Sequence, residues 1–496
     1  MIFGPASEKM KDIFGSGEEP GEEKENSGSS ENTENSESMA EGTKGNEAGA
    51  DEKGDEKRKG HGRNGADSYL SADRVDVPHE SLQHKDVCPC CSEGKVYEQK
   101  EPGVLVRVKG VAPLVATIYR TQKFRCGLCG ETFEAQGPQG VGNEKYDETA
   151  KAMVGLLKYG YGLPFYRIEK LGKNLGIPLP TSTQWDKVEE ASYALEVVWT
   201  ELVRLAAQGN VVTIDDTKAK ILALHKELQK ALESGESKRT GIFTSGIISK
   251  VEGQEVVLFY TGRNHAGENL DELLKHREEE LAPPIQMSDA LSCNTSGEFE
   301  TIVASCLVHA RRNFVDVVNS FPEKVKFVLE QFGEVYKHEA EVKKQGMTDL
   351  ERLTYHQKMS KPIMDEFEKW LDKQFDEKLV EPNSSLGGAI QYMKNHWEKL
   401  TRFLSLSGAP LDSNIVERAL KRVILHRKNS LFFKTENGAR VGDIFMSLIH
   451  TCELAGVMPF EYLVAVQKHR ELVEDSPSDW LPWNYQETLN HLGPGP

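Results

Sequence analysis

The sequence predicts a multidomain α/β protein, and three observations carry that prediction. β-Branched runs at Val211–Ile214, Gly241–Val251 and Val256–Tyr260 are mixed with helical patterns such as His265–Arg277. Two Cys-x-x-Cys pairs precede them in a stretch with its own strand pattern. A long charged helical run, residues 315 to 405, follows them.

A chain of 496 residues has room for several domains. Its net charge of −17 is unevenly spread, because residues 1–60 hold 16 acids and 8 bases. That stretch is rich in Gly, Ser, Asn and Glu and poor in large apolar residues. It cannot bury enough surface to offset its ordering entropy, so residues 1–65 are predicted to be a disordered acidic tail. The basic patch Arg58–Arg63 closes the tail, either as a solvated linker or as a weak phosphate contact. Met1–Phe14 lacks the basic start and apolar run of a signal peptide, and no stretch of about 20 apolar residues offers a membrane span. A soluble, cytoplasmic protein with no membrane partner is expected.

Cysteines stand at 88, 90, 91, 126, 129, 293, 306 and 452, and five of the eight fall within 42 residues. In an intracellular chain such crowding argues for metal over disulfides. Cys88, Cys91, Cys126 and Cys129 have the spacing of a structural tetrathiolate Zn²⁺ site, predicting a zinc ribbon over 80–136. Cys90 is an alternative ligand, but the regular spacing favours Cys91. Strands are expected at 104–109 and 117–124, with Arg107, Lys109, Arg120, Lys123 and Arg125 available to DNA. A purely structural ribbon is the plainer alternative.

Residues 145–205 read as a helical region. Ile168 to Ala191 has a helix, a Gly-containing turn and a second helix capped by Thr181 or Ser182. This is helix-turn-helix-like and suggests DNA binding. The acids Asp186, Glu189 and Glu190 weaken groove reading and leave a plain helical hairpin as the alternative.

The mixed strands and helices of 208–315 form the first part of a core, 316–408 a helical insertion, and 409–465 the last part of the core. Residues 466–496 form a C-terminal tail, loop-like past 470 and anchored by Trp480-Leu-Pro-Trp483.

Three acids stand out. Asp215 ends one strand, Asp289 ends a later one, and Glu417 lies on a helix beyond the insertion. Carboxylates gathered at one point repel unless cations sit between them, and hard oxygen ligands select Mg²⁺ or Mn²⁺. Asp216 leaves the first ligand open, although strand alternation sends neighbours to opposite faces. Glu417 lies in a basic stretch, with seven Lys or Arg against three acids from Leu411 to Arg440. The bland reading is a solvated helix capped by Asp412 or Ser413, with Glu417 paired to Lys421. The functional reading is a metal site on a phosphate-binding surface. Arg311, Arg312, Arg418, Arg422, Arg427, Lys428 and Asn429 are the candidate DNA contacts, with surface ion pairs the alternative for Arg311 and Arg312. Cys306 and His309 form a Cys-x-x-His pair for which packing or hydrogen bonding is expected, since no further metal-binding pair is visible.

The chain resembles the insertion-sequence-66 family of bacterial transposases across residues 58 to 485. The resemblance rests on the zinc ribbon, Tyr161-Gly-Leu-Pro-Phe-Tyr-Arg167, Cys306-Leu-Val-His-Ala-Arg-Arg312, Glu417-Arg-Ala-Leu, Arg427-Lys-Asn429 and Trp480-Leu-Pro-Trp-Asn484. It implies an RNase H-like mixed-sheet core with an Asp-Asp-Glu triad, split by a helical insertion before the Glu. It also implies DNA cleavage and strand transfer at terminal inverted repeats. Asp215, Asp289 and Glu417 match the triad, although this chain has Asp-Asp-Thr at 215–217, Asp-Ala-Leu at 289–291 and Asp-Ser-Asn at 412–414. The expected partners are the element ends, target DNA, further copies of the chain on DNA, and accessory proteins of the element, at the bacterial nucleoid. A nuclease of the same core and a non-catalytic zinc-ribbon DNA-binding protein are the alternatives.

Overall fold

The structure is a computed structural model that describes residues 81–97, 112–125, 144–235 and 241–493, with single residues and short runs elsewhere between 77 and 142. The tail predicted over 1–65, most of the strand predicted at 104–109, and Cys126 lie outside the described residues. The chain divides into a small unit, Glu19–Ala112, and a larger one containing Pro113–Pro496.

In the small unit Val87 and Lys95 form an antiparallel bridge around a tight turn. Cys88 N–H donates to the Gly94 carbonyl at 2.7 Å, and Ser92 N–H to the Cys88 carbonyl at 2.8 Å. Cys88 and Cys91 both lie in this turn.

The larger unit opens with an antiparallel pair, β1 (Lys123–Arg125) and β2 (Thr132–Glu134), which flanks Cys129. The strand predicted from Thr117 forms only at its end, for 117–122 join no ladder. Helix α1 (Glu148–Gly155) is capped by Asp147, whose Oδ1 accepts the Ala150 N–H at 2.9 Å, and runs into a π-helical turn, Leu156–Gly160. Helices α2 (Phe165–Asn174) and α3 (Thr181–Ala206) follow. Pro180 rather than Thr181 or Ser182 takes the cap position of α3, with no side-chain cap bond. Val188, Leu195, Val198 and Leu202 of α3 are buried in the main core, so this helix is a spine of the unit. Its Glu190 is held by Lys151 and Lys187.

The sheet has five strands in the order β5-β4-β3-β6-β7. They are β3 (Val211–Lys218), β4 (Phe243–Val251), β5 (Gln254–Gly262), β6 (Ile285–Ser288) and β7 (Ile302–Ser305). Strands β3, β4 and β5 are antiparallel neighbours, while β6 and β7 run parallel to β3. The α/β class expected from the sequence is what is observed, with a mixed sheet. Helix α4 (Leu222–Glu233) follows β3, α5 (Ala266–Leu274) follows β5, and α6 (Leu307–Val315) follows β7.

Helix α12 (Glu436–Leu454) covers β5, the edge strand. Asp443, Ser447 and Thr451 accept the backbone N–H groups of Thr261, Phe259 and Val257 at 2.7, 2.9 and 3.1 Å. Four helical residues rise about 6 Å and two strand residues about 6.6 Å, so the two repeats run in step. The helix side chains thereby satisfy donors that a sheet edge leaves unpaired.

Helices α7 (Pro322–Gln345), α8 (Asp349–Met359), α9 (Lys361–Asp376) and α10 (Ser385–Leu400) lie between α6 and α11 (Asn414–Ser430). Phe332, Phe367, Ile390 and Met393 build a separate core there, joined by Leu307 and Phe314 of α6. The segment is closed at its neck, where Leu307 N–H donates to the Leu411 carbonyl at 3.0 Å.

Past residue 470 the expected loops are instead mostly helical: α14 (Arg470–Asp475), a 3₁₀ turn (Pro477–Trp480) and α15 (Tyr485–Leu492) follow α13 (Pro459–Lys468). The apolar anchor overrides local composition here. Trp480 is buried, and its carbonyl accepts the Tyr462 hydroxyl at 2.9 Å. Among the described residues no helix is long and apolar enough to cross a membrane.

Candidate active site

Strand register sets the geometry. Thr213 pairs with Met287 across the parallel β3–β6 ladder. Asp215 and Asp289 each lie two residues further on, so Asp215, within β3, sits level with Asp289, just past the end of β6. Strand β3 runs on to Lys218 through its ladder with β4, so Asp215 does not end its strand as expected. Ser288 pairs with Ser305 on β7, which brings Cys306 to the same rim.

Side-chain alternation separates Asp215 from Asp216. Asp216 turns to the α5 side, where its carboxylate accepts the Ser245 hydroxyl at 2.7 Å and the Ala266 N–H at 3.1 Å, with His265 Nδ1 at 2.8 Å. Asp215 lies on the opposite face, beneath α11, and its Oδ1 accepts the Asp216 N–H at 2.7 Å. Burial pushes the Asp215 carboxyl up to about 6. The Asp216 N–H opposes that shift, the charges of Asp289 and Glu417 add to it, and His309 offsets part of it. Asp215 thus senses both other acids.

Gly246 makes this approach possible. It pairs with Asp215 in the β3–β4 ladder. A Cβ placed there would lie 3.0 Å from Val416 Cγ2 and 3.2 Å from Leu420, on the first turns of α11. The missing side chain lets α11 settle on the sheet with Glu417 in its first turn. Ser413 occupies the cap position without a side-chain bond, and Asp412 Oδ1 accepts the Asn414 N–H at 3.0 Å. Glu417 forms no ion pair with Lys421. It faces His309 on α6 instead, with Oε1 3.9 Å from Nδ1.

Asp289 is held by its own loop: Asn294 Nδ2 and the Leu291 N–H donate to Oδ1 at 2.7 and 3.2 Å, and neither uses Oδ2. Tyr392 of α10 reaches this rim. Burial, joined by the charge of Asp289, pushes its hydroxyl up to about 12. Sequence reasoning missed Asn294 and Tyr392, because nothing in their spacing ties them to Asp289.

The donor set fits a hard divalent cation. The charges of Asp289 and Glu417 reach Asp215, Glu417 Oε1 is buried without a hydrogen-bond partner, and one oxygen of Asp289 is left over. A cavity of about 480 Å³ by the edge strand, lined by Trp199, Tyr260, Arg263, Arg440 and Asp443 among others, holds none of these acids.

The candidate DNA contacts divide by setting. Arg418, Lys421 and Lys428 are exposed along α11. Arg422 pairs with Glu453 at 2.5 Å. Arg427 is partly buried and donates to Thr217 Oγ1 at 3.3 Å, and burial lowers its pKa. Asn429 faces the Gly162 turn. Arg311 and Arg312 lie on α6, two and three residues beyond His309. Cys306 is buried, and its Sγ accepts the Ser413 N–H at 3.3 Å, the hydrogen-bonding role expected for it. In the small unit, backbone donors at Glu93 and Gly94 hold the Cys91 thiol below its ordinary range.

Comparison with known proteins gives a consistent result. The sequence model of the family described as "Transposase IS66 family" matches residues 145–441. Uncharacterized protein y4jD of Sinorhizobium fredii is 26% identical over 425 residues, covering 80% of this chain and 78% of that protein. Uncharacterized protein y4qI of the same organism is 27% identical over 356 residues, covering 68% of this chain and 62% of that protein. Uncharacterized protein y4hP is 24% identical over 455 residues, covering 84% and 76%.

Proposed function

Because the chain belongs to the IS66 family of transposases, we propose that it cuts and joins DNA at the ends of its element, using an RNase H-like core and an Asp215–Asp289–Glu417 triad. The strand order, with antiparallel β3–β5 followed by parallel β6 and β7, supports that core assignment. One observation carries the triad: Asp215 and Asp289 lie level on adjacent parallel strands, and the Glu417 charge reaches Asp215 from α11.

Asp215, Asp289 and Glu417 would hold Mg²⁺ or Mn²⁺, which when bound supply Lewis-acid stabilisation of the charge that builds up on the phosphate. Asp216 anchors the start of α5 to β3 and keeps Asp215 turned toward α11. Arg418, Lys421, Arg427, Lys428 and Asn429, with Arg311 and Arg312, hold the sugar-phosphate backbone along α11 and α6. In the first step water attacks the phosphodiester at the element end, breaking the P–O3′ bond and freeing a 3′-OH. In the second step that hydroxyl attacks a target phosphodiester, displacing its 3′ oxygen and joining element to target. Neither step requires a covalent enzyme intermediate. Synapsis of two ends implies several copies of the chain on DNA, with accessory proteins of the element and a nucleoid location. Cys88, Cys91, Cys126 and Cys129 would hold a structural Zn²⁺ in this scheme.

The test is a strand-transfer assay with Mg²⁺ and DNA carrying the element's own ends, on the wild type and Glu417→Gln. Joined products that vanish in the variant support the triad. Cleavage without joining would indicate a nuclease. Specific binding with neither product would indicate a non-catalytic DNA-binding protein.

A further inference from the structure

We propose that Cys306, His309 and Glu417 form a second metal site, selective for a zinc-class divalent cation, whose filling withdraws Glu417 from the hard-cation triad. The withdrawal rests on reading Glu417 as a triad ligand, whereas the binding does not.

Three elements meet at this point. Cys306 follows β7, His309 lies in the first turn of α6, and Glu417 lies in the first turn of α11. Cys306 Sγ, one His309 ring nitrogen and one Glu417 oxygen all lie within 4.8 Å of one another. His309 Nδ1 and Glu417 Oε1 are 3.9 Å apart, too far to hydrogen bond. Both atoms are inaccessible to solvent and have no hydrogen-bond partner.

Two facing polar atoms left unsatisfied at one point carry a desolvation cost that a bridging group would remove. A zinc ion with bonds of about 2.0–2.3 Å sets its ligands roughly 3.3–3.8 Å apart, which small side-chain rotations reach from the observed spacing. A sulfur, an imidazole nitrogen and one oxygen favour Zn²⁺ or Co²⁺, and the soft sulfur is a poor ligand for hard Mg²⁺. Three protein ligands leave a fourth position for water. Binding releases the Cys306 thiol proton to solvent, and the Ser413 N–H at 3.3 Å supports the resulting thiolate. Glu417 Oε1 cannot serve both sites fully, so zinc at Cys306 and His309 competes with the triad ion.

The deciding experiment counts zinc. The full-length chain is stripped with a chelator, dialysed to equilibrium against Zn²⁺, and measured by elemental analysis as wild type, Cys306→Ser and His309→Gln. Each variant is expected to hold one zinc per chain fewer than wild type, leaving any ribbon zinc unchanged. Because substitution of the buried Cys306 is a core change, His309→Gln, at a partly exposed ring, is the second variant. Equal zinc in wild type and a folded His309→Gln chain overturns the site. In Mg²⁺-driven cleavage, zinc is expected to inhibit wild type at concentrations at least tenfold below those inhibiting Cys306→Ser. Equal inhibition of both would overturn the withdrawal of Glu417. The zinc count stands even if wild type cleaves nothing, an outcome that counts against the transposase reading alone.

Discussion

His265 Nδ1 lies 2.8 Å from Asp216 Oδ2, and this contact holds the second of the two adjacent acids of β3 on the α5 side. Asp216 is occupied at both oxygens by Ser245, His265 and Ala266. Asp215, one residue earlier, lies on the opposite face, where the charges of Asp289, His309 and Glu417 reach it. The two acids therefore fail in different ways when altered. Asp215→Asn is expected to abolish cleavage without loss of unfolding stability. Asp216→Ala is expected to cost about 1–3 kcal/mol of stability, because it strands buried donors. Denaturant melts beside cleavage assays separate the two, and full cleavage by Asp215→Asn would exclude it from the triad.

The Asp215 shift fixes the sign of a pH effect. Its folded pKa of about 6 lies above the unfolded value near 4, so the folded state binds the proton more tightly. The associated stability is full below about pH 4 and is lost as pH rises through about 6, on the order of 2–3 kcal/mol. Asp443, pushed up to about 7 by burial, acts in the same direction, so the informative quantity is a difference. With divalent ions removed, Asp215→Asn should be more stable than wild type above pH 6 and no more stable near pH 4. Thermal melts across that range test it.

Gly246 controls how closely α11 approaches. Gly246→Val is expected to cost about 1–3 kcal/mol by overpacking against Val416 and Leu420 and to lower cleavage by displacing Glu417. Gly262→Ala meets no atom within 4 Å and is the control. A Gly246→Val chain with wild-type stability and cleavage would refute the tight fit.

Salt dependence of DNA binding tests the α11 surface. Arg418→Ala removes an exposed cation and should reduce the slope of log K against log salt by about 0.9. Arg422→Ala removes a cation already paired with Glu453, so its slope should change less. Equal effects would show that the Glu453 pair opens on DNA.

The α12–β5 ladder predicts a stability loss remote from the acids. Ser447→Ala leaves the buried Phe259 N–H without its acceptor, at a cost of about 1–3 kcal/mol. A chemical melt within 0.5 kcal/mol of wild type, roughly the scatter of neutral surface changes, would show that another acceptor replaces it.

Local pattern made some of this architecture legible and left the rest hidden. The strand at Val211–Ile214 and the short strand before Asp289 were readable because β-branched residues end in polar ones. Placing Asp215 level with Asp289 required a parallel register, which alternation does not encode. The meeting of Cys306, His309 and Glu417 was invisible for a different reason. The Cys-x-x-His pair is local, but its third member lies 108 residues beyond His309 in sequence. Asp443, Ser447 and Thr451 look like polar interruptions of an apolar helix until the edge of β5 lies against them. The helices past 470 were missed because Pro477, Pro482 and clustered acids suggest loops, while burial of Trp480 decides otherwise.

The closed neck between Leu307 and Leu411 has a consequence for change in this lineage. With entry and exit of the helical segment fastened together, added length can be absorbed at positions away from its contacts with α6 and the Asp289 rim without moving the residues on either side. Loop-closure entropy grows only logarithmically with the enclosed length, so enlarging the segment costs little. A reporter domain with closely spaced termini, inserted near Lys378–Glu381, which joins two helices of the segment, should leave the sheet intact. The neck is what lets a graft in that distant loop leave the sheet undisturbed.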